Sequence, residues 1–148
     1  MNVDEGFAED NDAGISFLDC ALEIAKSIDG LEARAEIIAL IAVRYAASGQ
    51  LDAAVDLAET INDSYLRDQA LAGVAAKCVE VGDADYGDKL SETIEDDTAY
   101  ALAMEQMAVA YAQSGALERS IEVAHRIAES APTLNLIALT CVARGLHA

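Results

Sequence analysis

The sequence predicts an all-α fold: a solenoid of three helix-turn-helix repeats on a period of about 33 residues, with a lone N-terminal and a lone C-terminal helix. Three observations carry that expectation. Gly49, Gly82 and Gly115 are evenly spaced at that period, and so are Ile28, Ile61, Ile94 and Ile127. Two residue types on one period mark a repeat architecture. Other columns keep the same spacing: Ile41, Val74 and Met107; Ala42, Ala75 and Ala108; Leu18, Leu51 and Leu117; Asp19, Asp52, Asp85 and Glu118.

Residues 1–16 break the period and carry Asp4, Glu5, Glu9, Asp10 and Asp12 with no basic residue, so a disordered acidic tail is expected there. The run Asp10-Asn11-Asp12-Ala13-Gly14 does not make a calcium loop, because its glycine comes one place early and no glutamate follows at the bidentate position. Residues 17–29 form a lone helix with Leu18, Ala21, Leu22, Ala25 and Ile28 in the columns of Leu51, Ala54, Val55, Ala58 and Ile61. Its expected role is to cover an end of the stack. Asp29 is placed to cap the next helix, with Glu32 completing a capping box.

The first repeat, 31–63, has Ile37, Ile38, Ile41, Ala42 and Tyr45 at helical spacing up to Ser48-Gly49, where a left-handed glycine ends a helix. A second helix starts near Leu51 and ends at Asn62-Asp63-Ser64, residues suited to capping the next helix. The second repeat, 64–96, departs from the pattern. Cys78 stands in the column of Tyr45, and Gly87 and Asp88 in those of Ala54 and Val55. Gly87 costs about 1 kcal/mol against alanine in a helix interior. Asp88 needs a late helix start, a rotation or a partner, since a buried unpaired carboxylate is costly. Decay of one repeat is the expectation here ahead of a functional site. The third repeat, 97–130, restores the pattern, and Pro132 opens a last helix from about Thr133 to Leu146, the segment 133–146.

These residues resemble the tetratricopeptide repeat family. Ala42 matches its small residue at the helix crossing, Tyr45 its aromatic, Gly49 its turn glycine and Ala54 its small residue in the second helix. Ala108, Tyr111, Gly115, Ser120 and Pro132 repeat the pattern. The resemblance covers residues 17–146 and implies a right-handed alpha-alpha superhelix whose first helices line a concave surface. On that implication the exposed groove positions are Glu36, Ala39, Val43 and Ala46, then Gln69, Ala72, Ala76 and Val79, then Glu105, Val109, Ala112 and Gln113. The subgroup that grips chaperone tails needs lysine, arginine and asparagine at such places, and none of the twelve is one.

An apolar groove with acidic surroundings suits a peptide or helix of another protein, amphipathic or basic. In the last helix, Leu134, Leu136, Ile137, Leu139, Val142 and Leu146 spread around more of the cylinder than one buried stripe requires. Either this helix pairs with its copy in a homodimer, or the chain continues in a longer protein.

Net charge is −18, and eleven of these charges lie in residues 1–16 and in Asp83–Asp97. Such a field excludes nucleic acid and anionic membranes as partners, since both are bound through Lys and Arg. A basic partner, solubility or salt adaptation would each account for it. No long apolar run appears, and the N-terminus is acidic, so a cytoplasmic chain is expected. Cys20, Cys78 and Cys141 all fall in helical segments and are expected as buried free thiols. His125 and His147 belong to no catalytic constellation, so no enzyme activity, metal or cofactor is expected.

Overall fold

The computed structural model describes residues 17–127 and 129–145. The acidic segment 1–16, Leu146 and His147 lie outside them. The described chain is all-helical, with no strand. Its helices are α1 (17–26), α2 (Leu31–Ala47), α3 (Leu51–Glu59), α4 (Ser64–Glu80), α5 (Ala84–Ser91), α6 (Asp97–Ser114), α7 (Leu117–Ala124) and α8 (Ala131–Gly145). Long helices alternate with short ones: α2, α4 and α6 have 17, 17 and 18 residues, and α3, α5 and α7 have 9, 8 and 8. Each long helix packs on the short helix that follows it. The long helices also pack on one another in series, α2 on α4, α4 on α6 and α6 on α8.

The periodic glycines end the long helices. Gly49, Gly82 and Gly115 take φ of 84°, 96° and 87°, and among the described residues only they have positive φ. At each stop the residue after the glycine donates its N–H back into the helix: Gln50 to Tyr45 at 3.0 Å, Asp83 to Cys78 at 2.8 Å and Ala116 to Tyr111 at 2.9 Å. This six-to-one bond is the closing bond of a Schellman motif, which needs the left-handed residue a side chain would disfavour.

Aspartates start α4, α5 and α6. Asp63 accepts from the Leu66 N–H at 2.9 Å, Asp83 from Tyr86 at 3.2 Å and Asp96 from Ala99 at 2.8 Å. Asp29 does not cap α2. The cap position is Gly30, with no side-chain bond, because Gly30 and not Asp29 occupies the column of Asp63 and Asp96.

The core follows the columns. Ala42, Ala75 and Ala108 are each fully buried where long and short helices cross, and Ile41, Val74 and Met107 are buried beside them. Ala54 and Ser120 are also fully buried, and the Ser120 hydroxyl returns to the Ala108 carbonyl at 2.6 Å. Gly87 shares their column. A Cβ there would stand 2.8 Å from the Ala75 carbonyl oxygen and 3.2 Å from the Cys78 Cβ, so α4 and α5 meet more closely than a methyl group permits. The expectation of decay is corrected at this point: Gly87 is a packing requirement. Asp88 is likewise accommodated. It pairs with Arg119 and accepts the Tyr111 hydroxyl at 3.4 Å, while Arg119 also lies 5.8 Å from the Tyr111 ring centroid.

Cys78 is buried, Cys141 half-buried and Cys20 exposed, all three as free thiols. The expectation of burial thus fails at Cys20, which lies on the outward side of the terminal helix. The last helix begins at Ala131, two residues before the expected Thr133, with Pro132 in its first turn where a missing N–H costs no helical bond.

Candidate functional site

The lateral packing of α2, α4, α6 and α8 creates a grooved face. One part, of about 390 Å3, runs over Ala35, Glu36, Ala39, Leu40, Val43 and Gln69 to Leu102. A second, of about 480 Å3, runs from Val43 over Gly73, Ala76 and Lys77 to Glu105, Val109, Gln113 and Leu136. Val43 is the wall common to both. Gly73 sets the depth there, because a Cβ on it would stand 2.8 Å from the Val43 Cγ2.

Seven of the twelve groove positions expected from the sequence are accessible. Glu36, Glu105 and Gln113 are exposed; Ala39, Val43, Gln69 and Val109 are half-buried. The other five are corrected. Ala46, Ala72, Ala76, Val79 and Ala112 are buried. Each long helix has neighbours on both sides, and small residues let the backbones approach, so these positions are consumed by helix packing. Ala76 still borders the groove floor.

Leu40 and Leu102 belong to the groove although the sequence reading did not include them. A signal existed: Leu139 lies three full periods after Leu40, and Val142 three full periods after Val43. The last helix is a fourth rung of the same face. Its expected dimer face divides accordingly. Ile137 is buried and Leu134 half-buried, while Leu136, Leu139 and Val142 are 39%, 59% and 62% exposed; Leu146 lies outside the described residues.

Acids rim this face. Glu36 and Glu105 are exposed, and Glu80 is held at 2.7 Å by Lys77, the cation that lines the groove. On the short-helix side, tyrosines meet carboxylates. The Asp19 carboxylate accepts the Tyr45 hydroxyl at 2.6 Å, and this bond together with burial pushes the phenol up to about 12. Burial, with the bond to Asp52, pushes Tyr86 up to about 12 as well. These groups tie helices together and do not face the groove. Among the described residues no group of three or more His, Cys, Asp or Glu side chains could hold a metal ion. His125 is exposed at the end of α7. Among the described residues no helix is long and apolar enough to cross a membrane.

Comparison with protein-family models, with curated proteins and with solved structures finds no match.

Proposed function

We propose that this chain is a non-enzymatic protein-interaction scaffold, a right-handed superhelix of the tetratricopeptide-like kind that takes a peptide or helix of a partner protein in the groove across α2, α4, α6 and α8. The observation that carries this reading is the convergence of Leu40, Val43, Leu102, Val109 and Leu136 on one grooved face. Leu40 and Leu136 are exposed and the other three half-buried, and aliphatic surface gathered in a concavity marks an interaction site more than scattered surface does. The acidic rim and the net charge of −18 favour a basic partner, drawn in by electrostatic steering. A cytoplasmic setting accords with this reading.

Panning a displayed library of amphipathic helices tests it. Selected sequences should carry two or more aliphatic anchors at helical spacing with flanking lysine or arginine, and Leu40→Glu should abolish their binding. Leu40 is 63% exposed, so its replacement spares the core. A library that yields no binder, or binders indifferent to Leu40→Glu, would overturn the proposal.

A second reading, self-assembly through α8, is favoured by the exposure of Leu136, Leu139 and Val142. Sedimentation separates the two: a chain that is monomeric at high concentration removes the second reading, and a dimer dissociated by Leu139→Glu supports it.

A further inference from the structure

A concavity of about 950 Å3 adjoins the groove, sharing Ala35 and Leu66 with it, between the end of α1, the first half of α2, the end of α3 and the start of α4. Its origin is visible when the two internal repeats are compared. The connection after α3 and the connection after α5 make the same bonds. Thr60 and Thr93 donate their hydroxyls to Leu57 and Leu90 at 2.6 and 2.7 Å. The Ile61 and Ile94 N–H groups reach Ala58 and Ser91 at 3.1 and 3.3 Å. Asp63 and Asp96 cap the following helices at φ, ψ of −70°, 121° and −74°, 123°.

The connections differ in the Arg67 Nη1 bond to the Ile61 carbonyl at 3.5 Å, which has no counterpart at Tyr100, and in the acceptor of their next two N–H groups. After α5, the N–H groups of Glu95 and Asp96 both donate to Asp68 Oδ2, at 3.1 and 2.9 Å, and Asp68 is buried. One period earlier, the place of Asp68 is taken by Ala35. The corresponding donors, the N–H groups of Asn62 and Asp63, have no acceptor among the described residues. Ala35, Asn62 and Asp63 all line the concavity. The first repeat therefore keeps a carboxylate-binding pair of amides and leaves out the carboxylate.

The walls supply the rest of a binding site. Leu22, Leu31, Ile38 and Leu57 make an apolar lining, and Leu31 is 72% exposed. Two cations stand on it: Arg34, anchored by its Nε to the Ile28 carbonyl at 2.9 Å, and Lys26, paired among the described residues with Glu23 on the open surface. Such a surface pair holds its lysine weakly. We propose that this cleft binds a monocarboxylate with an apolar body, its carboxylate accepting from Asn62 and Asp63 as the Asp68 carboxylate accepts from Glu95 and Asp96. Two adjacent N–H donors on one carboxylate make charge-assisted bonds. The volume matches ordinary small-ligand sites. Glu32 and Asp63 at the edge disfavour a dianion such as a phosphate ester, which selects the singly charged head.

Titration of the whole chain with decanoate, followed by 1H–15N NMR, tests this. Saturable downfield shifts of the Asn62 and Asp63 amides, absent with methyl decanoate, are expected. Ala35→Asp should install the missing carboxylate, weaken decanoate by about tenfold or more, and shift the same two amides without ligand. Should Ala35→Asp fail to fold, the exposed Lys26→Glu decides instead, with a several-fold loss of affinity expected. Equal shifts with the methyl ester, shifts confined to α4 and α6, or unchanged affinity in the variant that folds would each overturn the proposal. The readout is local to Asn62 and Asp63, so its failure leaves the groove reading where it stood.

Discussion

Tyr86 donates its hydroxyl to Asp52 across 3.0 Å and ties α5 back to α3. The equivalent ties elsewhere come from long helices, Tyr45 to Asp19 and Tyr111 to Asp88. In the middle unit the long-helix position is Cys78, which brings no hydroxyl, and the tyrosine arrives from the short helix instead. The tie has moved to another residue.

These ties have a pH signature. Tyr45 and Tyr86 both rise from 10.0 to about 12 in the folded chain. Between those values the unfolded chain holds fewer protons than the folded one, so stability is fully present below pH 10 and falls as pH rises toward 12. Titration of phenolate absorbance should show a late step near pH 12 that shrinks in Tyr45→Phe and again in Tyr86→Phe. A single transition near pH 10 for all tyrosines would contradict the structure.

Gly87→Ala should destabilise. The gain in helix propensity is about 1 kcal/mol, but the new methyl meets the Ala75 carbonyl oxygen, which is backbone and cannot swing away. Overpacking of that kind typically costs about 1–3 kcal/mol. Thermal melting of the variant measures the balance, and a raised Tm would show that α4 and α5 have room.

Asp88 and Arg119 should be coupled. The Asp88 side chain is 18% exposed and that of Arg119 38%, so a double-mutant cycle with Asp88→Asn and Arg119→Gln should give about 0.5–1 kcal/mol, decreasing in molar salt. Additive single effects would reduce the pair to coincident geometry.

The cysteines should react in a fixed order. Burial, then the nearby Asp83 charge, pushes the Cys78 thiol up to about 11. In mildly alkaline buffer a thiol reagent should modify exposed Cys20 first and reach Cys78 only on unfolding. Rapid labelling of Cys78 in the folded chain would show that α4 opens readily.

The repeat period made the turns, the helix count and the alanine crossings legible, because a left-handed glycine at a helix stop and an alanine at a crossing are each demanded by backbone geometry. The groove was half legible. Alanine suits a packed and an exposed face equally, so the burial of Ala46, Ala72 and Ala112 was decided by how closely the long helices lie, which no single helix encodes. Leu40 was hidden because Gly73 and Gln106 follow it in its column, and its aliphatic match, Leu139, comes only three periods on. The partner of Asp88 was not legible either: Arg119 falls just short of one full period away, and its column elsewhere holds Cys20, Ala53 and Tyr86.

Those off-period pairings give the units an order. Asp88 needs the Tyr111 and Arg119 that follow it, and Asp52 needs Tyr86. Were the second and third units exchanged, Asp52 would face Arg119 where Tyr86 now stands, and Asp88 would lose the Tyr111 hydroxyl and the Arg119 guanidinium that follow it here. The blocks look alike on their shared period, yet each is addressed to its successor, so the chain can be read in only one direction and one sequence of parts.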